Sequence, residues 1–124
     1  MDRSYRPAES GPPLDRIALG DLLRRVATAV PERTALVDGQ PDPAARRRWT
    51  YAAMLEEAEA VGRYLAARFE PGERVALWAP NRPEWVLFQY GAALAGLTAR
   101  AGLDRKSTRL NSSHVALSRM PSSA

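Results

Sequence analysis

The sequence predicts an α/β fold with a parallel or mixed sheet and crossover helices. Its clearest strand is Arg74–Ala79, a run with hardly a polar position, which is typical of a strand covered on both faces. A long helical pattern, Tyr51–Phe69, separates it from a shorter strand candidate at Thr34–Val37. Two strands joined by one helix favour a right-handed crossover, so we expect both strands in one sheet.

The chain begins with a predicted extended lead-in over residues 1–16, because this stretch is polar, carries prolines and lacks periodicity. A helix is expected over Leu19–Val30, with Arg24 and Arg25 on its polar side and Pro31 ending it. Its apolar face comprises Leu19, Leu22, Leu23, Val26 and Val30.

A loop is expected between the first strand and the long helix, over Gln40–Arg48. The consecutive arginines 46–48 are compatible with a phosphate-binding patch, but a solvated loop or strand edge is favoured because acidic residues balance the charge elsewhere. Trp49 is expected to anchor this loop to the core. Thr50 is a good N-cap for the next helix, although Ala53 cannot complete a capping box.

The helix Tyr51–Phe69 carries an apolar stripe that predicts burial rather than a membrane or partner face, since its polar side is acidic. The stripe comprises Met54, Ala58, Val61, Leu65 and Phe69. A turn at Glu70–Glu73 leads into the strand, and the prolines of Pro80–Pro83 predict a loop followed by a helix start. From Glu84 onward, Trp85, Phe88/Gln89, Ala92 and Ala95/Gly96 predict one helical face.

Composition indicates ordinary globular material: 45% of the 124 residues are hydrophobic and 26% are charged. The absence of cysteine excludes disulfides, thiolate chemistry and Cys-ligated metal. No window reaches the ~20 apolar residues of a membrane span, and the N-terminus lacks the apolar core of a signal peptide. We therefore expect a cytoplasmic protein without a transmembrane segment; the oligomeric state is left open.

The net charge of +4 is unevenly placed along the chain. Residues 1–103 hold 14 arginines and 13 acidic residues, a net of +1, whereas residues 104–124 carry a net of +3. The only lysine, Lys106, and the only histidine, His114, lie in this tail together with six of the eight serines. Most of the excess positive charge thus lies in the tail. Residues 1–103 are nearly neutral, so their charge does not indicate a nucleic-acid partner.

The stretches WTYAAMLEEAEAVGRYL and EPGERVALWAPNRPEWVLFQYGAALAGL resemble the opening of the adenylate-forming (AMP-binding) enzymes, most closely the fatty-acyl-CoA synthetases. The upstream LGDLLRRVATAVPERTALVDG is similar as well, so the resemblance covers residues 17–97. The positions that match the family pattern are Thr50, Tyr51, Leu55, Ala58, Leu65, Gly72, Val75, Asn81, Glu84, Trp85 and Gly96. The resemblance implies that residues 17–103 are an incomplete, N-terminal part of the large domain of such an enzyme.

The resemblance also implies the chemistry of a full-length parent, an AMP-forming acid–thiol ligase that uses ATP, Mg²⁺ and coenzyme A on a fatty or other carboxylic acid. The family holds the nucleotide with a Ser/Thr/Gly-rich loop ending in Pro-Lys-Gly, a Tyr-Gly-x-Thr-Glu segment, a ribose-binding Asp and a C-terminal lysine. None of these has a match here, and Gly96 and Gly102 belong to no phosphate loop. We therefore predict no catalytic, cofactor-binding or metal-binding residue and no bound cofactor in this chain, and expect it to be inactive.

The sequence departs from the family pattern at about Thr98. Residues 104–124 are expected to be a non-native, disordered tail. This tail resembles the translation of a sequencing adapter, whose codons read Asp104 through His114 and, after a variable index, Ser118 through Ala124. Two alternatives stay open: a parent that is a peptide-synthetase adenylation domain or acyl-carrier-protein ligase, and a small basic interaction or nucleic-acid-binding module in which the tail is real.

Overall fold

The computed structural model describes residue 11, residues 15–103 and residues 116–120. Most of the predicted lead-in lies outside the described residues. The elements in chain order are α1 (Leu19–Ala29), β1 (Thr34–Val37), a 3₁₀ turn (Pro43–Ala45), β2 (Arg48–Thr50), α2 (Tyr51–Ala66), β3 (Arg74–Ala79), α3 (Glu84–Leu94), β4 (Thr98–Leu103) and β5 (Ala116–Met120). The predicted α/β class and the predicted helices and strands are confirmed.

The strands form two small sheets. β1 pairs with β2 in an antiparallel hairpin, whereas β3 is the middle strand of a mixed sheet, parallel to β4 and antiparallel to β5. The crossover connection is therefore β3–α3–β4, and our prediction that Thr34–Val37 shares a sheet with Arg74–Ala79 is wrong. The reason is local: the predicted loop Gln40–Arg48 ends by entering β2, which gives β1 a partner close in sequence.

The helix starts follow from the sequence. Thr50 caps α2 as predicted, because its Oγ1 accepts a hydrogen bond from the Ala53 backbone N–H at 3.2 Å. Pro83 immediately precedes α3. The negative charge of Glu84 lies in the first turn of that helix, where the helix dipole favours it. A short loop, residues 80–83, leads the chain from β3 into α3.

Two clusters of buried side chains make up the described core, and α3 contributes to both. Phe88 and Ala92 pack with strand residues such as Val75 of β3, while Leu87 packs with Trp49 and other residues of the second cluster. The predicted apolar face of α3 is therefore incomplete, because Leu87 and Gly91 are also buried. It also included Gln89, which is exposed. A helix between a sheet and other helices is buried on more than one side.

The crossing of α2 and α3 depends on glycine. A Cβ atom built on Gly91 would lie 2.5 Å from Val61 Cγ1 and 2.9 Å from the backbone oxygen of Ala58. A Cβ on Gly62 would lie 3.1 Å from the backbone oxygen of Gly91. The two helix backbones therefore approach more closely than alanine at position 91 allows.

The starts of β3 and β4 are linked through two glycine turns. Gly72 and Gly96 have φ values of 89° and 72°, the left-handed conformation that glycine adopts without steric cost. The Gly72 N–H donates to the Gly96 carbonyl at 2.8 Å, and the Thr98 N–H donates to the Glu73 carbonyl at 3.0 Å. These bonds align the two parallel strands from their first residues.

The tail differs in part from the prediction. We expected disorder over residues 104–124, but residues 116–120 form β5 beside β3. Residues 104–115 and 121–124 lie outside the described residues, so the prediction is untested there. In the part that the structure describes, no helix has the length and apolarity needed to cross a membrane.

Candidate functional site

The carboxyl end of the parallel strand pair is the natural place to look for a site. In open α/β sheets, ligands bind beyond the carboxyl ends of the strands. Here β3 ends at Ala79 and continues through residues 80–83 into α3, and the β1–β2 hairpin approaches the same loop. A hollow of about 360 Å³ lies between them. Its lining residues are Leu36, Val37, Asp38, Gly39, Gln40, Asn81, Arg82, Pro83 and Val86.

Arg47 joins the hairpin to the start of α3 beside this hollow. Its Nη2 donates to Glu84 Oε1 at 2.8 Å, and its Nε donates to Asp38 Oδ2 at 3.3 Å. Asp38 is largely buried, and its backbone N–H donates to the Arg47 carbonyl at 2.9 Å. Arg47 therefore binds a glutamate 37 positions away in sequence. Its guanidinium accounts for hydrogen bonds to the carboxylates of both Asp38 and Glu84.

The charge of Glu84 is favoured by its surroundings. Burial opposes ionisation of this carboxyl, but the hydrogen bond from Arg47, its own backbone N–H and the positive charges of Arg47 and Arg82 outweigh it, so the pKa of Glu84 lies below its ordinary value. The hydrogen bond to Glu84 likewise raises the pKa of the Arg47 guanidinium. The pair is thus ionised at neutral pH, which suits a structural bridge rather than a proton donor.

Trp49 is buried in the core, as the sequence predicts, and it also supports this bridge. The residue is 6% exposed, and the Arg47 guanidinium carbon lies 5.0 Å from the centroid of its ring. The indole N–H donates to Glu57 Oε1 on α2 at 2.9 Å. Trp49 therefore ties the hairpin to α2 while Arg47 ties it to α3.

The three consecutive arginines do not converge on one ligand position. Arg46 donates from Nε to the Gln40 carbonyl at 2.6 Å, which closes its own loop. Arg47 serves the bridge described above, and Arg48 is an exposed residue of β2. This arrangement supports the solvated loop and strand edge over the phosphate-binding patch.

A second, apolar hollow lies on the other side of the start of α3. It has a volume of about 250 Å³, and an adjoining hollow of about 130 Å³ shares Leu77, Trp85 and Phe88 with it. Val61, Ala79, Arg82 and Glu84 complete the lining of the larger one. Within the described part of the chain, Trp85 Nε1 and Glu84 Oε2 are buried without a hydrogen-bond partner.

Neither hollow is lined by a set of carboxylates that could hold the metal ion of a nucleoside triphosphate. Mg²⁺ takes oxygen ligands, yet Asp38, the acidic residue of the polar hollow, is paired with Arg47. Among the described residues, no group of three His, Cys, Asp or Glu side chains could hold a metal ion. Gly96 follows the carboxyl end of α3 and Gly102 lies in β4, so neither begins a helix as a phosphate loop does. The absence of site residues in this chain stays a prediction.

Comparison with known proteins decides the family. The signature of the family described as AMP-binding enzyme matches residues 23–105, which is most of the described chain. This chain belongs to the AMP-binding enzyme family. The match extends past Leu97, where the resemblance read from the sequence ended, and takes in the whole of β4.

This AMP-binding chain is similar to acyl-CoA ligases. It is 34% identical over 98 residues to a mitochondrial medium-chain acyl-CoA ligase of Danio rerio, across 78% of this chain and 16% of that protein. A fatty acyl CoA synthetase of Mycobacterium tuberculosis is 36% identical with a TM-score of 0.61, across 75% of this chain and 17% of that chain. The N-terminal domain of FACL13 from the same organism is 36% identical with a TM-score of 0.61, across 68% of this chain and 21% of that chain.

The chain therefore spans about one sixth of the curated relative from Danio rerio. The family-matching positions have structural places here: Thr50 caps α2, Asn81 lies in the loop after β3, and Glu84 pairs with Arg47. Sequence reasoning placed Glu84 at the start of a helix and among the family-matching positions, but it missed the bridge to Arg47. No signal in the sequence links it to a side chain 37 residues away.

Proposed function

We propose that this chain is the N-terminal part of an AMP-forming acyl-CoA synthetase. In the full-length parent, a carboxylate oxygen attacks the α-phosphorus of ATP, pyrophosphate leaves, and the sulfur of coenzyme A then displaces AMP from the acyl carbon with loss of the thiol proton. Mg²⁺ accompanies the ATP, and the acid is a fatty or other carboxylic acid. The carrying observation is the 34% identity to an acyl-CoA ligase across 78% of this chain.

The role proposed for these residues is architectural. β3, α3 and β4 form a parallel crossover, α2 packs against α3, and the bridge from Arg47 to Glu84 holds the hairpin against the loop after β3. The residues that would grip the nucleotide belong to the rest of the parent, so the chain by itself is inactive. In this account the bridge fixes the shape of a sheet edge and takes no part in chemistry.

An exchange assay tests this proposal. The purified 124-residue chain is incubated with ATP, labelled pyrophosphate, Mg²⁺ and carboxylic acids of short, medium and long chain length, beside the uninterrupted protein from the native gene. We expect exchange and coenzyme A-dependent thioester formation from the uninterrupted protein alone. Exchange by the short chain would refute its proposed inactivity. Transfer by the uninterrupted protein to a carrier protein in place of coenzyme A would refute the synthetase assignment.

We further propose that residues 104–124 are non-native and that the parent is cytoplasmic. The tail proposal rests on its agreement with adapter codons and on the abrupt rise in lysine, histidine and serine after residue 103. Sequencing the native locus through codon 103 tests it, because native transcripts that encode the same tail would overturn it. Fractionation of the source cells, with the parent followed by antibody, tests the location.

A further inference from the structure

One face of the β3–β4 pair is covered by helix, and the opposite face is open. Val75, Leu77 and Ala79 of β3 are at most 4% exposed and belong to the cluster that also contains residues of α3. The residues between them differ, because Ala76 is only half-buried and Trp78 is 53% exposed. Successive residues of a strand point to opposite faces of the sheet, so Ala76 and Trp78 mark the uncovered face.

The described helices supply only one layer over these strands. Among them, α3 alone lies against both β3 and β4, and α1 and α2 pack on α3 instead. Leu65 of α2 enters the same buried cluster as Val75 and Leu77, so it approaches from the covered side. Parallel sheets have helices on both faces in almost every case. The nearly apolar sequence of β3 fits such a strand, so its second layer has to come from elsewhere.

The open face is basic toward the amino ends of its strands. Arg74 and Arg100 are exposed, and Arg100 pairs with Ala76 in the ladder. Alternation along β3 and pairing across to β4 place both arginines on the same face as Trp78. A helix that connects parallel strands runs antiparallel to them, so its carboxyl end lies above the strands' amino ends. Cations are stabilised near that end of a helix by its dipole, so the charge of this face suits a crossover helix.

We propose that this open face, formed by Arg74, Ala76, Trp78 and Arg100, is the docking surface for one α-helix from the remaining part of the parent. The helix runs antiparallel to β3, with its carboxyl end over the two arginines and apolar side chains over Trp78. This inference rests on the proposed function, because it requires a longer parent. The matched part of the chain corresponds to 16% of the Danio rerio ligase, and a parent of that length has ample sequence for a second helical layer.

The accessibility of Trp78 in the uninterrupted parent tests the docking. Parent and 124-residue chain are labelled with 5-fluorotryptophan, and the fluorine resonances of Trp78 and Trp49 are assigned by their loss in Trp78→Phe and Trp49→Phe. A soluble gadolinium chelate then broadens the resonances of exposed rings. In the chain we expect Trp78 to be broadened several times more than Trp49, since the two residues are 53% and 6% exposed. In the parent we expect both to be broadened equally little.

Two results would overturn the docking surface. Broadening of Trp78 well above that of Trp49 in the parent would show that nothing covers this face, whether or not the short chain folds. Protection of Trp78 in the 124-residue chain that disappears on dilution would show that a second copy occupies the face. Neither measurement uses activity, so failure of the docking and failure of the synthetase assignment are distinguishable.

Photo-crosslinking in the parent identifies the occupant. The photoreactive residue p-benzoylphenylalanine is placed at position 78 or 74, with position 48, exposed on β2, as the control, and linked peptides are identified by mass spectrometry. Positions 78 and 74 should link within one molecule to the same helical segment after residue 103, and position 48 should not. The two positions lie about 13 Å apart along β3, or about nine residues of helix, so the link from position 74 should fall that much nearer the segment's carboxyl end. Links between molecules, links confined to residues 1–103, or the reverse order would each refute the proposal.

Discussion

Substituting Gly91 with alanine tests the close crossing of α2 and α3. The added Cβ would lie 2.5 and 2.7 Å from Val61 Cγ1 and Cβ and 2.9 Å from the Ala58 carbonyl oxygen. Rotation of the valine side chain can move Cγ1 but not Cβ, and the Ala58 carbonyl belongs to the α2 backbone, so the helices must separate. Overpacking of this kind costs about 1–3 kcal/mol. With the cost near the upper end, and about 1 kcal/mol regained from the better helix propensity of alanine, we expect a net loss of about 2 kcal/mol.

Urea unfolding followed by circular dichroism measures this loss, and the midpoint should fall by about 1 M. Gly39→Ala is the matched control, because a Cβ there meets nothing within 4 Å; its effect should stay within about 0.5 kcal/mol. Val61→Ala combined with Gly91→Ala should recover at least about 0.5 kcal/mol relative to additivity, since it removes the shortest of these contacts, the one with Val61 Cγ1. If Gly91→Ala proved as stable as the control, the helices could not approach as closely as described, and the reasoning would fail.

Three further substitutions test other contacts. Trp49→Phe removes the indole N–H that reaches Glu57, and we expect a loss of about 2–3 kcal/mol in urea unfolding, against less than about 1 for Glu57→Gln, which keeps an acceptor. Gly72→Ala should cost about 1–2 kcal/mol because of its φ of 89° alone, since its Cβ meets no atom within 4 Å; a neutral result would refute the left-handed turn. Glu84→Gln should destabilise by less than about 1 kcal/mol at pH 7, because the side chain is 45% exposed. The native pKa of Glu84 is lowered, so its contribution is present above the unfolded value of about 4.3 and disappears as pH falls through the native one; a difference from the variant that persists in acid would contradict the bridge.

The comparison of α2 with the hairpin shows where sequence reasoning succeeds. The N-cap at Thr50 and the stripe that includes Met54, Ala58 and Leu65 are properties of one continuous segment, and the structure confirms them. The partner of β1 depends on how a loop closes, and β2, only three residues long, gives too short a pattern to predict. The strand pairing was predicted wrongly because it depends on this loop closure and not on the pattern of one continuous segment.

The polar side of the candidate site was equally beyond prediction. Arg47 is one of three adjacent arginines, and nothing in their order indicates which one reaches Glu84. Only the placement of the hairpin beside the loop after β3 selects it. The same placement forms the polar hollow, whose lining comes from two separate segments of the chain.

The sequence by itself indicated the family through its resemblance to the AMP-binding enzymes. It determined the identity of the helices and main strands, because side-chain periodicity, caps and prolines act over a few neighbouring residues. It also determined that the lysine and histidine of this chain lie in the tail. Tertiary structure alone decided which strands pair, that α3 is buried on two sides, and that Arg47 joins Asp38 to Glu84. These features depend on distances between segments remote in sequence, which are set when the whole chain packs.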